Sequence, residues 1–333
     1  MKKRLPLPCP APLSSLVLAA LLACLLLAGC APKIKLFSDA SDPLEEYVLE
    51  GEATEKILLL NASGTVSDEP RSGLLGSRPS MVQEIVSQLR LAEKDEDVRA
   101  VVLKINSPGG GVTASDVLHH ELSGFNERTG KPVVALLMDL AASGGYYIAL
   151  PAKRIVAHPT TVTGSVGAIF FMPRVTGLMN LIGVDVEVAK SGRNKDMASP
   201  FRAPTEEERQ LADALILNMG ERFQMLVREA RNLGEEQMRT VATARVFTAD
   251  QALELGLVDR IGYLQDAYAE ARELAGLPED ARVVVYRREN YPNDTAYNAS
   301  AMPAERAALV QTGLENLLPP TRAGVYYLWL PQY

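Results

Sequence analysis

The chain contains few of the side chains that most often carry catalytic or metal chemistry. Its 333 residues include three cysteines, three histidines and one tryptophan. His119 and His120 fall in the middle of a predicted helix, and His158 follows a predicted strand. None of the three lies in a loop beside a suitable carboxylate, as a histidine base requires. The sequence therefore disfavours chemistry based on histidine.

The N-terminal apolar run is too short to cross a bilayer as a permanent helix. It covers residues 16–28, against about 20 residues for a membrane-spanning helix, and it follows basic residues 2–4. We therefore predict that residues 1–29 are a signal peptide. Residues 27–30 read Leu-Ala-Gly-Cys, which resembles a lipobox cleaved just before its cysteine. We expect a mature chain that begins at lipidated Cys30; the alternative is an uncleaved anchor with an accidental cysteine.

That assignment also removes every free thiol. Cys9 and Cys24 leave with the signal peptide and Cys30 carries lipid, so no disulfide can form. Loss of residues 1–29 takes the formal charge from -7 to -10, because three cations and no anions are removed. An acidic body without a basic cluster argues against nucleic acid as a partner. Membrane contact is expected through the acyl chains of Cys30, which predicts a bacterial lipoprotein of the cell envelope, facing the periplasm or the outer surface.

A glycine-rich loop follows the predicted buried strand 100–105. Residues 106–111 read Asn-Ser-Pro-Gly-Gly-Gly, with no Lys-Ser/Thr after the glycines and no G-x-G-x-x-G spacing. Nucleotide binding is therefore disfavoured. The proline fixes one φ angle and the glycines free the next, so the loop can turn a peptide N–H into a cleft.

Residues 142–147 read Ala-Ser-Gly-Gly-Tyr-Tyr and place Ser143 where a predicted strand turns into a helix. The glycines allow a sharp turn, and the N–H groups of the new helix offer donors to a developing oxyanion. This pattern is typical of a nucleophile. It is also found where a small residue simply opens a buried helix, and the motif alone does not separate the two.

A lysine is the next candidate for a base. Residues 190–196 form a polar loop, Lys-Ser-Gly-Arg-Asn-Lys-Asp, about fifty positions after Ser143. A lysine acts as a base only if burial lowers its pKa from about 10.4 and no carboxylate pairs with it. Asp196 adjoins Lys195, but neighbouring side chains of an extended loop point in opposite directions.

With these segments in place, the chain resembles the signal peptide peptidase A family, the serine-lysine peptidases of the ClpP/crotonase superfamily. The resemblance covers residues 55–275. Besides the three segments above, it rests on Thr-Gly-Ser-Val-Gly at 163–167 and on Phe-Thr-Ala-Asp at 247–250, which leads into residues 252–259. His-Pro-Thr-Thr at 158–161 departs from the family pattern, where a small or polar residue precedes the proline and a glycine follows it.

The resemblance implies a role for each matched residue. Ser143 is the nucleophile, Lys195 the general base, with Lys190 as the competing candidate. The N–H groups of Gly110 and Gly144 form the oxyanion hole, and Ser165 orients the lysine amine. No metal and no cofactor are implied. The implied substrates are extended hydrophobic peptides such as cleaved signal peptides, and the implied assembly is a homo-oligomeric ring in which a neighbouring subunit supplies the lysine.

The β and α patterns alternate along the body of the chain. This alternation predicts an α/β fold with parallel strands, and the resemblance makes it a ClpP/crotonase-like spiral of β-β-α units with added C-terminal helices. Predicted strands cover residues 56–60, 100–105, 132–138, 154–157, 184–189 and 283–286, and predicted helices cover 80–93, 114–126, 205–231 and 266–274. The predicted domains are the signal peptide 1–29, a polar tether 30–52, the peptidase domain 53–288 and a C-terminal extension 289–333. For the aromatic run 325–331 the sequence leaves three positions open: docked on the body, lining a groove of a neighbouring subunit, or in contact with the membrane.

Two other classes of function stay open from the sequence. The first is a catalytically silent, lipid-anchored binding or scaffold protein with the same fold, against which the presence of both Ser143 and Lys195 argues. The second is a crotonase-type enzyme acting on acyl-CoA, against which the predicted secretion argues.

Overall fold

The computed structural model describes residues 42–73, 76–288, 291, 293–297 and 324–329. Cys30, the signal peptide and most of the predicted C-terminal extension lie outside these residues. Within the described ranges, no helix is long and apolar enough to span a membrane.

The described chain alternates short strands with helices. The strands are β1 Glu45–Glu50, β2 Lys56–Ser63, β3 Arg71–Gly73, β4 Gly76–Arg78, β5 Val98–Ser107, β6 Gly109–Gly111, β7 Val133–Ala142, β8 Arg154–Ala157, β9 Val162–Gly164, β10 Ile169–Phe171, β11 Val246–Thr248, β12 Arg260–Ile261, β13 Arg282–Arg287 and β14 Gly324–Leu328. The helices are α1 Met81–Lys94, α2 Val112–Thr129, α3 Gly144–Tyr147, α4 Thr176–Ile182, α5 Glu206–Arg231, α6 Glu235–Val241, α7 Ala249–Glu254 and α8 Leu264–Ala275.

The main sheet runs in the order β1-β13-β2-β5-β7-β8-β12, with β9 pairing β7 and β11 pairing β9. From β13 to β12 every neighbouring pair along this order is parallel. Its central strands are apolar because both faces are covered. In β2, for example, Leu58 and Leu60 enter one core with α1 and α2, while Ile57 and Leu59 enter another with α8. The predicted α/β fold with parallel strands is confirmed.

Two predicted helix starts are confirmed by their caps. Ser80 accepts a hydrogen bond from the Gln83 amide at the start of α1. Thr205 and Glu208 form a reciprocal capping box at the start of α5. Each cap satisfies main-chain donors that the first turn of a helix leaves unpaired, which explains why these local patterns predict the boundaries so well.

Two local predictions are wrong. The predicted tether 30–52 contains β1, which pairs antiparallel with β13. It joins the sheet because Tyr47 and Leu49 pack against the core and Glu46 forms an ion pair with Lys56 at 3.0 Å. The predicted strand 184–189 has no regular structure and is exposed. Its alternation of valine with acidic residues is typical of a strand, but no neighbouring strand pairs with it within the described chain.

The end of the chain returns to the body. Strand β14 lies between β10 and β6 in a separate three-stranded sheet and is antiparallel to both. Of the three predicted positions for the aromatic run, the structure shows docking on the body for residues 324–328.

Candidate active site

Ser143 occupies a strained turn between β7 and α3. Its φ of 53° and ψ of -119° are unusual for a residue other than glycine. The surrounding main chain holds it there: the Ser143 amide donates to Gly164 at 2.7 Å, and the Ser143 carbonyl accepts from Tyr146 and Tyr147, each at 2.9 Å. Strain of this kind persists where neighbouring structure fixes it, as in the strand-turn-helix elements that present catalytic nucleophiles.

The hydroxyl of Ser143 is buried without a hydrogen-bond partner. The residue is 1% exposed, and its Oγ has no partner within the described part of the chain. Leaving a buried hydroxyl unpaired costs about 1–3 kcal/mol. Such a group calls for an explanation. One explanation is a reactive hydroxyl whose hydrogen-bond partner comes from a substrate or from a second subunit.

The glycine loop lies directly against this turn. After β5, the Gly109 amide donates to Ser107 Oγ at 3.1 Å, and the loop pairs with Val66 through bonds of 2.9 and 3.0 Å. Gly109 has a φ of +98°, and a β-carbon there would lie 2.6 Å from the Gly144 nitrogen. Only a glycine therefore permits the loop and the turn to approach so closely. As the first residue of α3, Gly144 has an N–H without an acceptor inside the helix.

Ser165 is brought beside Ser143 by the pairing of β9 with β7. Ala142 and Gly164 are register partners, so the two serines follow paired residues. Ser165 is buried and also has a positive φ, 52°, which a bond from its amide to the Arg245 carbonyl at 2.9 Å helps to hold. No hydrogen bond joins its side chain to Lys195. The structure thus brings Ser165 beside Ser143 and places the glycine loop, which contains Gly110, against Gly144.

Lys195 is not brought to Ser143 within a single chain. Its side chain is exposed, and the buried Ser143 Oγ has no partner. The neighbouring Asp196 accepts from Lys190 at 2.6 Å and from Arg202 at 2.7 and 2.8 Å. These bonds, from Arg202 first and Lys190 second, hold the pKa of Asp196 well below its usual range.

The ion pairs of this loop separate the two candidate lysines. The Lys190 ammonium forms an ion pair with Asp196 and donates a hydrogen bond to the Arg193 carbonyl at 3.0 Å. These interactions disfavour Lys190 as the general base. No ion pair of Lys195 with a carboxylate is present among the described residues. The carboxylate of Asp196 pairs instead with Lys190 and Arg202.

An aromatic cluster behind the serine turn was not predicted as part of the site. Tyr147 stacks on Tyr327 of β14 with ring centroids 5.2 Å apart, and Phe223 of α5 contacts both. The Tyr147 hydroxyl donates to Asp116 at 2.6 Å, and burial followed by this bond raises its pKa. The paired tyrosines after the glycines were a visible signal, but nothing local indicates that residue 327 packs against them.

Comparisons with known proteins agree with this geometry. Residues 126–278 match the model of peptidase family S49, and residues 76–163 match the model of Clp protease. The chain is 34% identical over 267 residues to a protein named putative signal peptide peptidase SppA from Enterococcus faecium, which covers 80% of this chain and 76% of that protein. It is 38% identical over 224 residues to Protease 4 of Salmonella typhi, which covers 67% of this chain and 35% of that protein.

Among solved structures, a mutant of ClpP1 from Listeria monocytogenes is similar, with a TM-score of 0.40 and 19% identity over 64% of this chain and 94% of that one. The parallel-rich sheet and the Clp protease match indicate a ClpP/crotonase-like α/β fold, and the match to peptidase family S49 together with the named relatives defines the class as a serine peptidase. Within that class, the chain belongs to peptidase family S49.

Proposed function

We propose that this serine peptidase is a lipid-anchored endopeptidase that cleaves extended hydrophobic peptides with Ser143 as nucleophile and Lys195 as general base. The observation that carries the proposal is Ser143 itself, a strained and buried serine whose Oγ has no partner. Main-chain donors at Gly110 and Gly144 lie beside it.

The reaction follows from these positions. Neutral Lys195 takes the Ser143 proton as Oγ attacks the peptide carbonyl carbon, and the Gly110 and Gly144 amides bind the oxyanion. Lysine then passes the proton to the departing amine, which leaves an acyl-enzyme. Water attacks this ester with Lys195 again as base, and the free serine and the carboxylic acid product are released. Ser165 holds the lysine amine in position.

A second copy of the chain supplies Lys195 in this proposal. Desolvation between two subunits is the kind of environment that lowers the pKa of an ammonium group towards the range that a base needs. The surface around the lysine loop suits such a contact, because large apolar side chains are exposed on α4, on the segment that follows it and on α5: Leu178, Leu181, Ile182, Val184, Val186, Val188 and Leu217. Repeating one such heterologous contact by rotation closes a ring.

The groove beside Ser143 favours peptides in an extended conformation. It is bordered by β6 and β10, both of which pair with β14 in this structure, and a peptide that took the place of β14 would pair with the same main-chain groups as an added strand. The relative from Enterococcus faecium is named for cleavage of signal peptides. We propose the same substrate class here, with the enzyme held at the cell envelope by lipid on Cys30.

Mixing two inactive variants tests the dyad and the shared site together. Ser143→Ala and Lys195→Ala alone should each lose nearly all peptidase activity, because nucleophile and base act as one unit. Co-expressed in equal amounts, they should recover about a quarter of the wild-type sites if each site takes serine from one copy and lysine from the next. Lys190→Ala is the matched control and should keep activity.

Three results would contradict these assignments. Normal turnover in Lys195→Ala would exclude Lys195 as the general base. Fluorophosphonate labelling at a serine other than Ser143 would exclude Ser143 as the nucleophile. Mixed assemblies that are verified by pull-down but stay inactive place the whole dyad within one chain. The control is a mixture of Ser143→Ala with the double variant Ser143→Ala/Lys195→Ala. This mixture contains no intact Ser143, so none of its sites can be active.

The anchor is tested separately from the chemistry. Wild-type protein should incorporate labelled palmitate and sediment with membranes, and Cys30→Ser should do neither while keeping activity on a soluble peptide. A mature protein that starts at another residue and carries no lipid contradicts the anchor.

A further inference from the structure

Arg202 holds the lysine loop, residues 190–196, by the one carboxylate that this loop contains. Its guanidinium donates to the two carboxylate oxygens of Asp196 at 2.7 and 2.8 Å and to the Asp196 carbonyl at 3.2 Å. A two-point contact of this kind fixes the orientation of a carboxylate as well as its position. The Lys190 ammonium donates to the same carboxylate at 2.6 Å. Two cations therefore hold Asp196, and neither of them is Lys195.

The same guanidinium is anchored in the first turn of α5. Arg202 donates to both carboxylate oxygens of Glu208, to one of them at 2.8 Å. The Glu208 side chain is 1% exposed and also accepts from the Thr205 amide at 2.8 Å. These bonds, from Arg202 first and from the Thr205 amide second, hold the pKa of Glu208 below its usual range. Arg202 therefore ties the lysine loop to a buried, ionised side chain of the helix.

The carboxylates around Lys195 are paired with other cations. The four in the loop and in the first turn of α5 bind as follows: Asp196 and Glu208 to Arg202, Glu207 to Arg193 at 2.8 Å, and Glu206 to Arg209 at 3.0 Å. In the exposed segment before the loop, Asp185 and Glu187 form no ion pair with any described residue. The pairing thus leaves Lys195 as the cation of the loop that has no carboxylate partner.

Charged groups on the serine side of the site have partners of their own. Behind the serine turn, Asp116 binds Arg222 at 2.7 Å. Burial lowers the pKa of His119, whose ring packs edge-on against Tyr147. Beside Ser165, the Arg245 guanidinium lies 4.8 Å from the centroid of the Phe247 ring. A change in the activity profile above neutral pH therefore reports on the lysine loop and not on these groups.

We propose that Arg202 is a positioning residue for the general base: it binds the Asp196 carboxylate, so that Lys195 has no anionic partner, and through Glu208 it fixes the loop on α5. A general base must be uncharged, and a free carboxylate nearby favours the ammonium form instead. Asp196 follows Lys195 directly in the chain, so it is the carboxylate best placed to have that effect. This inference rests on the proposed function, because it needs Lys195 as the base.

The pH profile of the full-length enzyme tests the proposal. In Arg202→Gln, Asp196 is released to Lys195, although Lys190 still holds one of its oxygens. The midpoint of kcat against pH, measured with a fluorogenic peptide of apolar residues, should therefore rise by about half a unit to one unit. Below the midpoint, kcat should fall about three- to tenfold. KM should stay the same, because the base acts in the chemical step.

A second substitution separates this effect from simple damage to the loop. In Arg202→Gln/Asp196→Asn the released carboxylate is gone, so the midpoint should return to that of wild type. Well above both midpoints, Arg202→Gln should approach the wild-type kcat, whereas a misplaced base lowers kcat at every pH. Arg209→Gln is the matched control, because it breaks an exposed ion pair in the same turn of α5 and should leave the profile unchanged.

The outcomes separate this inference from the proposed function. A wild-type midpoint in Arg202→Gln, or a raised midpoint that Asp196→Asn does not reverse, would overturn the inference while Lys195 keeps its role. Activity in Lys195→Ala would overturn the proposed function, whatever the Arg202 variants show.

Circular dichroism and size-exclusion chromatography check that each variant folds and assembles. If Arg202→Gln does not, Arg202→Lys takes its place, because one ammonium cannot hold Asp196 and Glu208 at once as the guanidinium does. Its midpoint should be raised and should return in Arg202→Lys/Asp196→Asn, and equal midpoints in these two variants would overturn the inference.

Discussion

The buried Lys104 should make the stability of this protein rise with pH above neutrality. It lies on β5, is 3% exposed, and its ammonium donates to the Ala296 carbonyl at 2.6 Å. No carboxylate pairs with it among the described residues. Burial lowers the pKa of Lys104 from 10.5 to about 8. The folded protein therefore releases a proton that the unfolded chain keeps between about pH 8 and pH 10.5.

The magnitude follows from that difference. Each pKa unit is about 1.4 kcal/mol, so the charged lysine costs the folded state about 3 kcal/mol below pH 8. The cost is complete below the folded pKa and disappears as the pH rises towards the unfolded value. From about pH 7 to about pH 9.5, the free energy of unfolding should gain about 2 kcal/mol from this group.

Lys104→Met isolates the contribution. Methionine fills similar space without charge, so the variant should be about 2 kcal/mol more stable than wild type near pH 7, after loss of one hydrogen bond. The two proteins should converge as the pH rises. Urea unfolding followed by circular dichroism measures the difference, and Lys94→Met, at an exposed position, is the control. If wild type and Lys104→Met show the same pH slope, the burial argument is wrong.

Two further predictions concern the core and the serine turn. Asp259→Ala should lower the free energy of unfolding by about 2 kcal/mol, because Arg231, bonded to it at 2.7 Å, is left partly buried without its partner; thermal unfolding measures this. Burial by itself raises the pKa of Asp259, but the bonds from Arg231 outweigh it and the net pKa is lowered, so this contribution is lost in acid. Gly144→Ala should lower kcat about a hundredfold, because its β-carbon would lie 2.5 Å from Ser115 Oγ and displace the amide donor. Gly177→Ala, where a β-carbon meets nothing within 4 Å, should be silent, and equal kcat in both variants would contradict the role of the turn.

The local signals predicted most of the secondary structure. The apolar run at 100–105 became β5, residues 154–157 became β8 with the same bounds, and the capping pattern at Thr205 began α5. These features depend on residues close together in the chain, so the sequence carries them directly. The alternating valines at 184–188 show the limit: a strand pattern forms a strand only where another strand is present to pair with it.

The sequence predicted which residues belong to the candidate site, but only the fold shows how they come together. The motifs around Gly110, Ser143 and Ser165 could be read from local spacing, because strained turns need particular small residues in a fixed order. Their meeting point depends on the parallel pairing of β5, β7 and β9, and the strain and lone hydroxyl of Ser143 appear only there. Lys195 shows the converse, since its motif is clear but the single chain leaves it exposed.

By itself, the sequence determined the α/β class, the serine turn, the glycine loop and the lysine loop, because each depends on neighbours within a few residues. Tertiary structure alone decided that β1 belongs to the sheet and that β14 fills the groove with Tyr327 at Gly110. Tyr327 lies 217 positions beyond its register partner. No local pattern specifies a pairing over such a separation, because its free energy comes from the aromatic contacts and main-chain bonds that exist only once the chain has folded.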